Sequence, residues 1–340
     1  MNNLNPQHPH QSPEPDLVLE VRGLNKSFGD TAAVRNLDLV VNPGEMLAIV
    51  GPDGAGKTTL IRMVCGITKP DAGSIMVLGL DLSHYASEIK PRIGYLSQQF
   101  SLYLDLTIDE NIEFFAEIHG VKNYQTRRDE LLEFTRLTPF RERLAGQLSG
   151  GMKQKLALAA TLIHTPEIIF LDEPTTGVDP VSRRDFWKIL SSLTAQGMTI
   201  IMTTPYLDEA ERASRVALMD HGSVLIVDTP QALRKQMKGQ LFEIVTPDIR
   251  KAIELLKDNT HAVQAFGDRL NVMLDADSDE ASLQNRLHLG GIHIESLRSV
   301  QPSLENVFIS LLERTQAEHP GERQAERGTE EEETSRAAKA

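Results

Sequence analysis

Residues 46–58 read Met46-Leu47-Ala48-Ile49-Val50-Gly51-Pro52-Asp53-Gly54-Ala55-Gly56-Lys57-Thr58, and this stretch decides the fold. The first five residues are a continuous apolar run, the pattern of a strand buried on both faces of a parallel sheet. The next eight match G-x-x-x-x-G-K-[ST] in the setting the motif needs, after a buried strand and before a helix. The glycines let backbone N–H groups turn inward around phosphate oxygens, and the helix adds the positive end of its dipole. Gly51, Pro52, Asp53, Gly54, Ala55 and Gly56 form the cradle; Lys57 brings a charge to the β and γ phosphates. The Thr58 hydroxyl is placed to ligate Mg²⁺, and Thr59 adds a phosphate contact. The stretch is a site for a nucleoside triphosphate.

Its complement lies at Ile168-Ile169-Phe170-Leu171-Asp172-Glu173, an apolar strand that ends in two acids. A central strand of a parallel sheet delivers its last residues to the ligand edge, beside the phosphate loop. There Asp172 would reach Mg²⁺ directly or through water, and Glu173 would polarise the attacking water as general base.

Outward from these two motifs, Leu17 to Arg22 and Val34 to Val41 alternate as strands before the turn Asn42-Pro43-Gly44. Thr107 to Ile118 reads as a helix: Thr107 and Glu110 have capping-box spacing, and Ile108, Ile112, Phe115 and Ile118 fall at helical intervals. Asp129 to Leu137 reads as its continuation. A helix over Met152 to Ile163 is stopped by Pro166; Arg183 to Ala195 is a further helix and Thr199 to Thr203 a further strand. The expected class is α/β, a phosphate-loop NTPase cassette over 17–231 with an all-helical insertion near 100–165.

Beyond Thr229 the pattern changes. Leu241 to Thr246 reads as a strand, Pro247 to Lys257 as a helix, and His261 to Phe266 with Arg269 to Leu274 as a hairpin across Gly267-Asp268. Asp279 to Leu289 reads as a helix, Ile292 to Val300 as a strand and Ser303 to Leu312 as a helix capped by Ser303. The order β-α-β-β-α-β predicts a small ferredoxin-like α+β domain over 238–314 with an added helix. Residues 1–16, rich in Asn, Pro, Gln and His, read as a disordered leader, and 315–340 as a disordered acidic tail.

The composition sets bounds on function. With 48 acidic against 35 basic residues the 340-residue chain carries a net charge of −13, which argues against wrapping nucleic acid by counterion release. A single cysteine, Cys65, rules out an intrachain disulfide and fits a reducing compartment. No stretch of about 18 uninterrupted apolar residues is present, so a membrane role would come through a partner.

Between the two motifs stands Leu148-Ser149-Gly150-Gly151-Met152-Lys153-Gln154, which resembles the signature of ABC-type ATPases. The resemblance extends to Gln98 in Gly94-Tyr95-Leu96-Ser97-Gln98 and to Gly177-Val178-Asp179-Pro180, and covers about Leu17 to Gln231. Physically, Ser149, Gly150 and Gly151 open a helix and make a second anion site. The family joins its two sites by head-to-tail dimerisation, each ATP lying between one chain's phosphate loop and the other's signature. By the same resemblance Phe28 falls where a ring stacks on adenine, and Gln98 links Mg²⁺ and water to the helical insertion. The surface around Phe100 to Asp105 would touch a membrane subunit, and Asp179 would contact the other chain's site. Two positions depart from the pattern: Met152 stands where Gln is usual, and in Thr203-Thr204-Pro205-Tyr206-Leu207-Asp208-Glu209-Ala210 the switch histidine is replaced by Pro205. Proline has neither side-chain donor nor N–H.

The stretch Pro302-Ser303-Leu304-Glu305-Asn306-Val307-Phe308 resembles the extension of ATPases that serve ABC-2 type exporters. The resemblances together imply an ATP- and Mg²⁺-dependent ATPase, cytoplasmic and peripheral on the inner face of the cell membrane. Its implied partners are ABC-2 type permease subunits and a second ATPase chain, like or unlike, and no nucleic acid. The alternative implied by Pro205 is a low-turnover, nucleotide-sensing cassette paired with a competent ATPase.

Overall fold

The apolar run that precedes the phosphate loop becomes a central strand of the larger sheet. The computed structural model describes residues 17–99, 101–237, 239–256, 262–274 and 280–318, in two units that divide between Thr229 and Pro230. The first unit opens with β1 (Leu19–Phe28) and β2 (Thr31–Val41), followed by β3 (Met46–Val50) and α1 (Lys57–Val64). Next come β4 (Ala72–Val77), β5 (Leu80–Asp81), α2 (Leu82–Ile89) and β6 (Ile93–Leu96). Three helices then run without an intervening strand: α3 (Ile108–Ile118), α4 (Gln125–Phe134) and α5 (Gly150–Leu162). The unit ends with β7 (Ile168–Asp172), α6 (Pro180–Ala195), β8 (Thr199–Thr204), α7 (Leu207–Ala210), β9 (Arg215–Asp220) and β10 (Ser223–Asp228).

Six strands form a sheet in the order β10-β9-β3-β8-β7-β6, parallel throughout except for β10. Every residue of β3, β7 and β8 is buried, which is why their apolar residues stand consecutively rather than alternating. The register sets Val50 opposite Thr204, Asp172 opposite Thr203 and Leu96 opposite Leu171. The carboxyl ends of four strands are thereby aligned on one edge, where ligands of open α/β sheets bind. An antiparallel sheet, β2-β1-β4-β5, shares one core with it: Leu19 and Val21 belong to the same cluster as Leu47, Ile49, Leu60, Ile61 and Phe170.

The capping box at Thr107 is present, with Thr107 Oγ1 accepting from the Glu110 N–H and the Glu110 carboxylate accepting from the Thr107 N–H. Three expectations for the helices of the first unit need correction. The Asp129–Leu137 helix does not continue α3: the chain leaves that helix at His119, and α4 starts at Gln125 and ends at Phe134. It stops because Arg136 turns left-handed (φ 60) and the Leu137 N–H returns to the Leu132 carbonyl. Next, α5 starts at Gly150 rather than Met152. Lastly, α6 starts at Pro180 rather than Arg183, because Asp179 accepts from the N–H groups of Val181 and Ser182 and proline fits a first turn.

The second unit holds α8 (Pro230–Lys235), β11 (Gln240–Val245), α9 (Ile249–Leu256), β12 (Ala262–Phe266), β13 (Arg269–Leu274), α10 (Glu280–Leu289), β14 (Ser296–Val300) and α11 (Leu304–Glu318). Its antiparallel sheet runs β12-β13-β11-β14, so the first strand lies between the third and the fourth, as the β-α-β-β-α-β order demands. Phe242, Ile244, Leu270 and Val272 pack against Ala252, Leu256, Leu283 and Leu287 of α9 and α10. Ser303 Oγ accepts from the Asn306 N–H while Asn306 Oδ1 accepts from the Ser303 N–H, a reciprocal cap on α11. β14 starts at Ser296 and not Ile292, whose N–H closes α10 by bonding the Leu287 carbonyl. α11 continues past Leu312 to Glu318. The expected leader (1–16), Phe100, Lys257 at the α9 end, the strand start at His261, the helix start at Asp279 and the tail from 319 onward lie outside the described residues. Among the described residues no helix is long and apolar enough to cross a membrane.

Candidate active site

Gly51 to Thr58 carries the chain from β3 into α1. Gly56 occupies the N-cap position in the left-handed conformation (φ 96), and no side chain caps the helix, so its first N–H groups are left to a ligand. Glycine is required on both sides of the loop. A Cβ on Gly51 would lie 2.1 Å from the Met219 carbonyl oxygen, and one on Gly56 2.1 Å from that of Ala33. Lys57 is buried; its Nζ donates to the carbonyls of Gly51 (2.8 Å) and Pro52 (2.9 Å) and stands 3.6 Å from Glu173 Oε1. Its ammonium therefore lies between the loop and the acidic end of β7.

At that end Asp172 Oδ1 accepts from Thr58 Oγ1 at 3.0 Å and from Thr203 Oγ1 at 2.7 Å. Asp172 Oδ2 is buried without a hydrogen-bond partner among the described residues. A buried carboxylate oxygen left unpaired is costly. With the Thr58 hydroxyl beside it, the site has the hard oxygen donors that Mg²⁺ prefers, so Thr58 and Asp172 fit that ion. The Asp172 charge reaches further: burial first, and then Asp172, push the Cys65 thiol and the Tyr95 hydroxyl above their ordinary pKa values.

Glu173 adopts a left-handed backbone (φ 48), with its N–H shared between the Thr203 carbonyl (3.2 Å) and Thr203 Oγ1 (3.0 Å). Its carboxyl Oε2 accepts from Gln98 Nε2 at 3.0 Å and from Thr176 Oγ1 at 3.3 Å. An open cleft of about 380 Å³ is lined by Ala33, Asp53, Gly54, Ala55, Gly56, Lys57, Thr58, Thr59, Gln98 and Glu173. Most of the residues singled out in the sequence thus meet at one edge of the sheet, with Asp172 buried just behind the cleft wall.

Gly51 and Pro52 lie at the root of the loop and, like Asp172, outside the lining, and four further residues do not line this cleft. Phe28 is 54% exposed at the end of β1, with Lys26 Nζ 5.4 Å from the ring centroid. Ser149, Gly150 and Gly151 open α5, where Ser149 Oγ accepts from the Met152 N–H. Ser149 and Gly150 are exposed, whereas a Cβ on Gly151 would sit 2.3 Å from Ser182 Cβ, so α5 and α6 start nearly in contact. Sequence reasoning assigned no role to Thr203, Thr176 or Glu209. The usable signal was Thr203-Thr204 at the carboxyl end of an apolar strand, where hydroxyls in a fully buried run need polar partners.

Comparison with known proteins agrees with this geometry. Residues 34–176 match the family described as ABC transporter, and residues 229–312 match the C-terminal domain of DrrA1-3-like ATP-binding proteins. The probable multidrug ABC transporter ATP-binding protein YbhF of Escherichia coli (strain K12) is 40% identical over 307 residues, 87% of this chain and 52% of that protein. The chain thus spans about half the length of that relative. The Nod factor export ATP-binding protein I of Rhizobium sp. (strain N33) is 36% identical, covering 87% of this chain and 97% of the relative. The daunorubicin resistance ATP-binding protein DrrA3 of Streptomyces coeruleorubidus is also 36% identical, over 87% and 96%. Among solved structures, an ATP-binding subunit of an ABC transporter aligns with a TM-score of 0.59 at 28% identity, over 64% of this chain and 92% of that one. A dimeric cassette in a post-hydrolysis state with ADP and Pi aligns with a TM-score of 0.57 at 26% identity, over 62% and 98%.

Proposed function

The chain belongs to the ABC transporter ATP-binding family, and on that premise we propose that it is the ATP-hydrolysing subunit of an ABC-2 type exporter. It would sit on the cytoplasmic face of the cell membrane, held there by permease subunits. The observation that carries the reading is the meeting of Lys57, the Thr58–Asp172 pair and the Gln98–Glu173 pair at one sheet edge. The loop N–H groups and Lys57 would hold the β and γ phosphates, and Thr58 and Asp172 would hold Mg²⁺. When bound, Mg²⁺ neutralises charge shared by those phosphates. Gln98 and Thr176 orient the Glu173 carboxyl, which takes a proton from water as the water oxygen attacks the γ phosphorus and ADP leaves. Phe28, being exposed, is free to stack on adenine, a contact of about 1–3 kcal/mol.

Ser149, Gly150 and Gly151 complete the site of a second copy or of a related cassette; the exposure of Ser149 and Gly150, away from the chain's own cleft, supports this. The permease would dock on the helical segment near Tyr103 and Leu104, both about half exposed, with Tyr103 packed on Phe114. Relatives named for a multidrug transporter, daunorubicin resistance and Nod factor export support outward transport. The test is ATP hydrolysis in membranes that contain the cognate permease. Turnover that rises with permease and needs Mg²⁺ is expected, and turnover indifferent to both would overturn the reading.

Pro205 favours a second reading, a slow cassette that senses nucleotide beside a competent partner. One positioned donor is typically worth about 10²- to 10³-fold in rate. Pro205→His should then raise turnover of the isolated chain at least tenfold; an unchanged rate would dispose of the second reading.

A further inference from the structure

One buried acid has no part in the proposed hydrolysis. Glu209, on α7, is only 1% exposed, and the Thr175 hydroxyl is shared between its Oε1 (2.7 Å) and Oε2 (2.8 Å). Thr204 Oγ1 donates to Oε2 at 2.9 Å and itself accepts from the Tyr206 N–H at 3.1 Å. Arg183 Nε, on α6, stands 3.3 Å from Oε1, close enough for charge attraction but outside hydrogen-bonding geometry, and its guanidinium lies 4.7 Å from the Tyr206 ring centroid. Pro205 is thus bracketed by two residues tied into this network.

The network bears on the reacting edge through Glu173. A left-handed glutamate is strained and persists only where its surroundings over-determine it. Here the Glu173 N–H is fastened to Thr203, and the Glu173 carbonyl accepts from the Thr176 N–H at 3.2 Å. Thr204 is the neighbour of the first anchor and Thr175 the neighbour of the second, and Glu209 holds both. A single carboxyl group therefore fastens the two segments that keep Glu173 in its strained backbone.

We propose that Glu209 is a positioning residue for hydrolysis: it clamps the turn after Glu173 to the proline-bearing segment after β8 and so keeps the Glu173 carboxyl aimed into the cleft. The clamp does for the backbone what Pro205 cannot do through a side chain. It rests on the reading of Glu173 as the base, and it acts through the backbone that carries Glu173. Arg183 extends it to α6, whose N-cap is Asp179.

Glu209→Gln and Thr175→Val in the full chain test it. Glu209→Gln keeps the shape but replaces one acceptor with a donor; Thr175→Val removes one hydroxyl and is the second variant should the first not fold. With ATP affinity within twofold of wild type and KM unchanged, kcat should fall about tenfold or more in Glu209→Gln and about threefold in Thr175→Val. Equal loss of affinity and turnover, or unchanged kcat in both, would overturn the clamp. A readout independent of turnover separates this from the functional reading: the backbone amide resonances of Glu173 and Thr176 should shift in both variants. If the wild type binds ATP without hydrolysing it while those resonances shift, the functional reading fails and takes the role in hydrolysis with it, while the tie from Glu209 to the Glu173 backbone stands; if they stay in place, the clamp itself fails.

Discussion

Two helices of the first unit begin at glycine-rich turns, and they satisfy their leading N–H groups in opposite ways. α1 starts at an uncapped, left-handed Gly56 with a buried lysine at its first position. α5 starts at an extended Ser149 whose own hydroxyl accepts from Met152, in the open, with room around Gly150. The first turn needs a ligand to complete it and carries a cation to attract one. The second is already stable and offers only its outward face. A lone chain should therefore bind nucleotide fully at the first and use the second only when another surface brings a phosphate to it.

Lys57→Ala attacks the first turn and should have the largest effect. A charged hydrogen bond contributes about 1.5–3 kcal/mol, so ATP affinity measured by titration should fall about 10- to 100-fold. Loss under threefold would place the binding energy elsewhere. Glycine replacements compare the two turns directly. Gly56→Ala meets both a positive φ and the Ala33 carbonyl, and should destabilise the unit by about 1–3 kcal/mol, lowering Tm by several degrees. Gly150→Ala, with no atom nearer than the Gly177 carbonyl at 3.9 Å, should stay within about 0.5 kcal/mol of wild type. Equal costs at the two positions would erase the contrast.

The smallest effect is expected beyond the far end of α5. There His164 stacks on His119, with ring centroids 3.9 Å apart and planes within 4°, and its Nε2 lies 3.0 Å from the Ile93 carbonyl oxygen. Burial lowers both pKa values below the ordinary 6.5, and His164 lowers that of His119 further. In this window the unfolded chain binds more protons than the folded one. Stability is therefore present above the unfolded pKa and is lost as pH falls towards the folded values. Tm should decline more steeply from pH 7 to 5 in wild type than in His119→Gln, and parallel declines would show that the pair does not matter.

The contrast between the two turns is partly legible in the sequence. The phosphate loop, the acids after β7, and the capping roles of Thr107 and Ser303 are local patterns, and local patterns survive folding. So is the order of elements in the second unit, because its strands alternate against a single core. β4, β5, α2, β6, α7, β9, β10 and α8 escape the sequence reading. β4 has only Ile75 and Val77 buried, and the six residues of β10 are all half-buried, so neither shows a clean period. Asp179-Pro180 carried the start of α6 in plain view, as an N-cap followed by a proline. The partners of Thr203 and Glu209 are illegible for a different reason: they depend on how β7 and β8 align, which no single segment encodes. Pro205 stood out only against the family pattern, and what the chain puts in place of the histidine became visible only as geometry.

The claim that the α5 turn serves a site outside its own chain is tested most directly by measuring ATP affinity and turnover together on Ser149→Arg. A bulky, exposed side chain there should leave affinity within about twofold of wild type, since Lys57 and the loop amides are untouched, while turnover falls at least about tenfold. Affinity lost in step with turnover would place Ser149 in the chain's own cleft, and undiminished turnover would remove it from the reaction altogether.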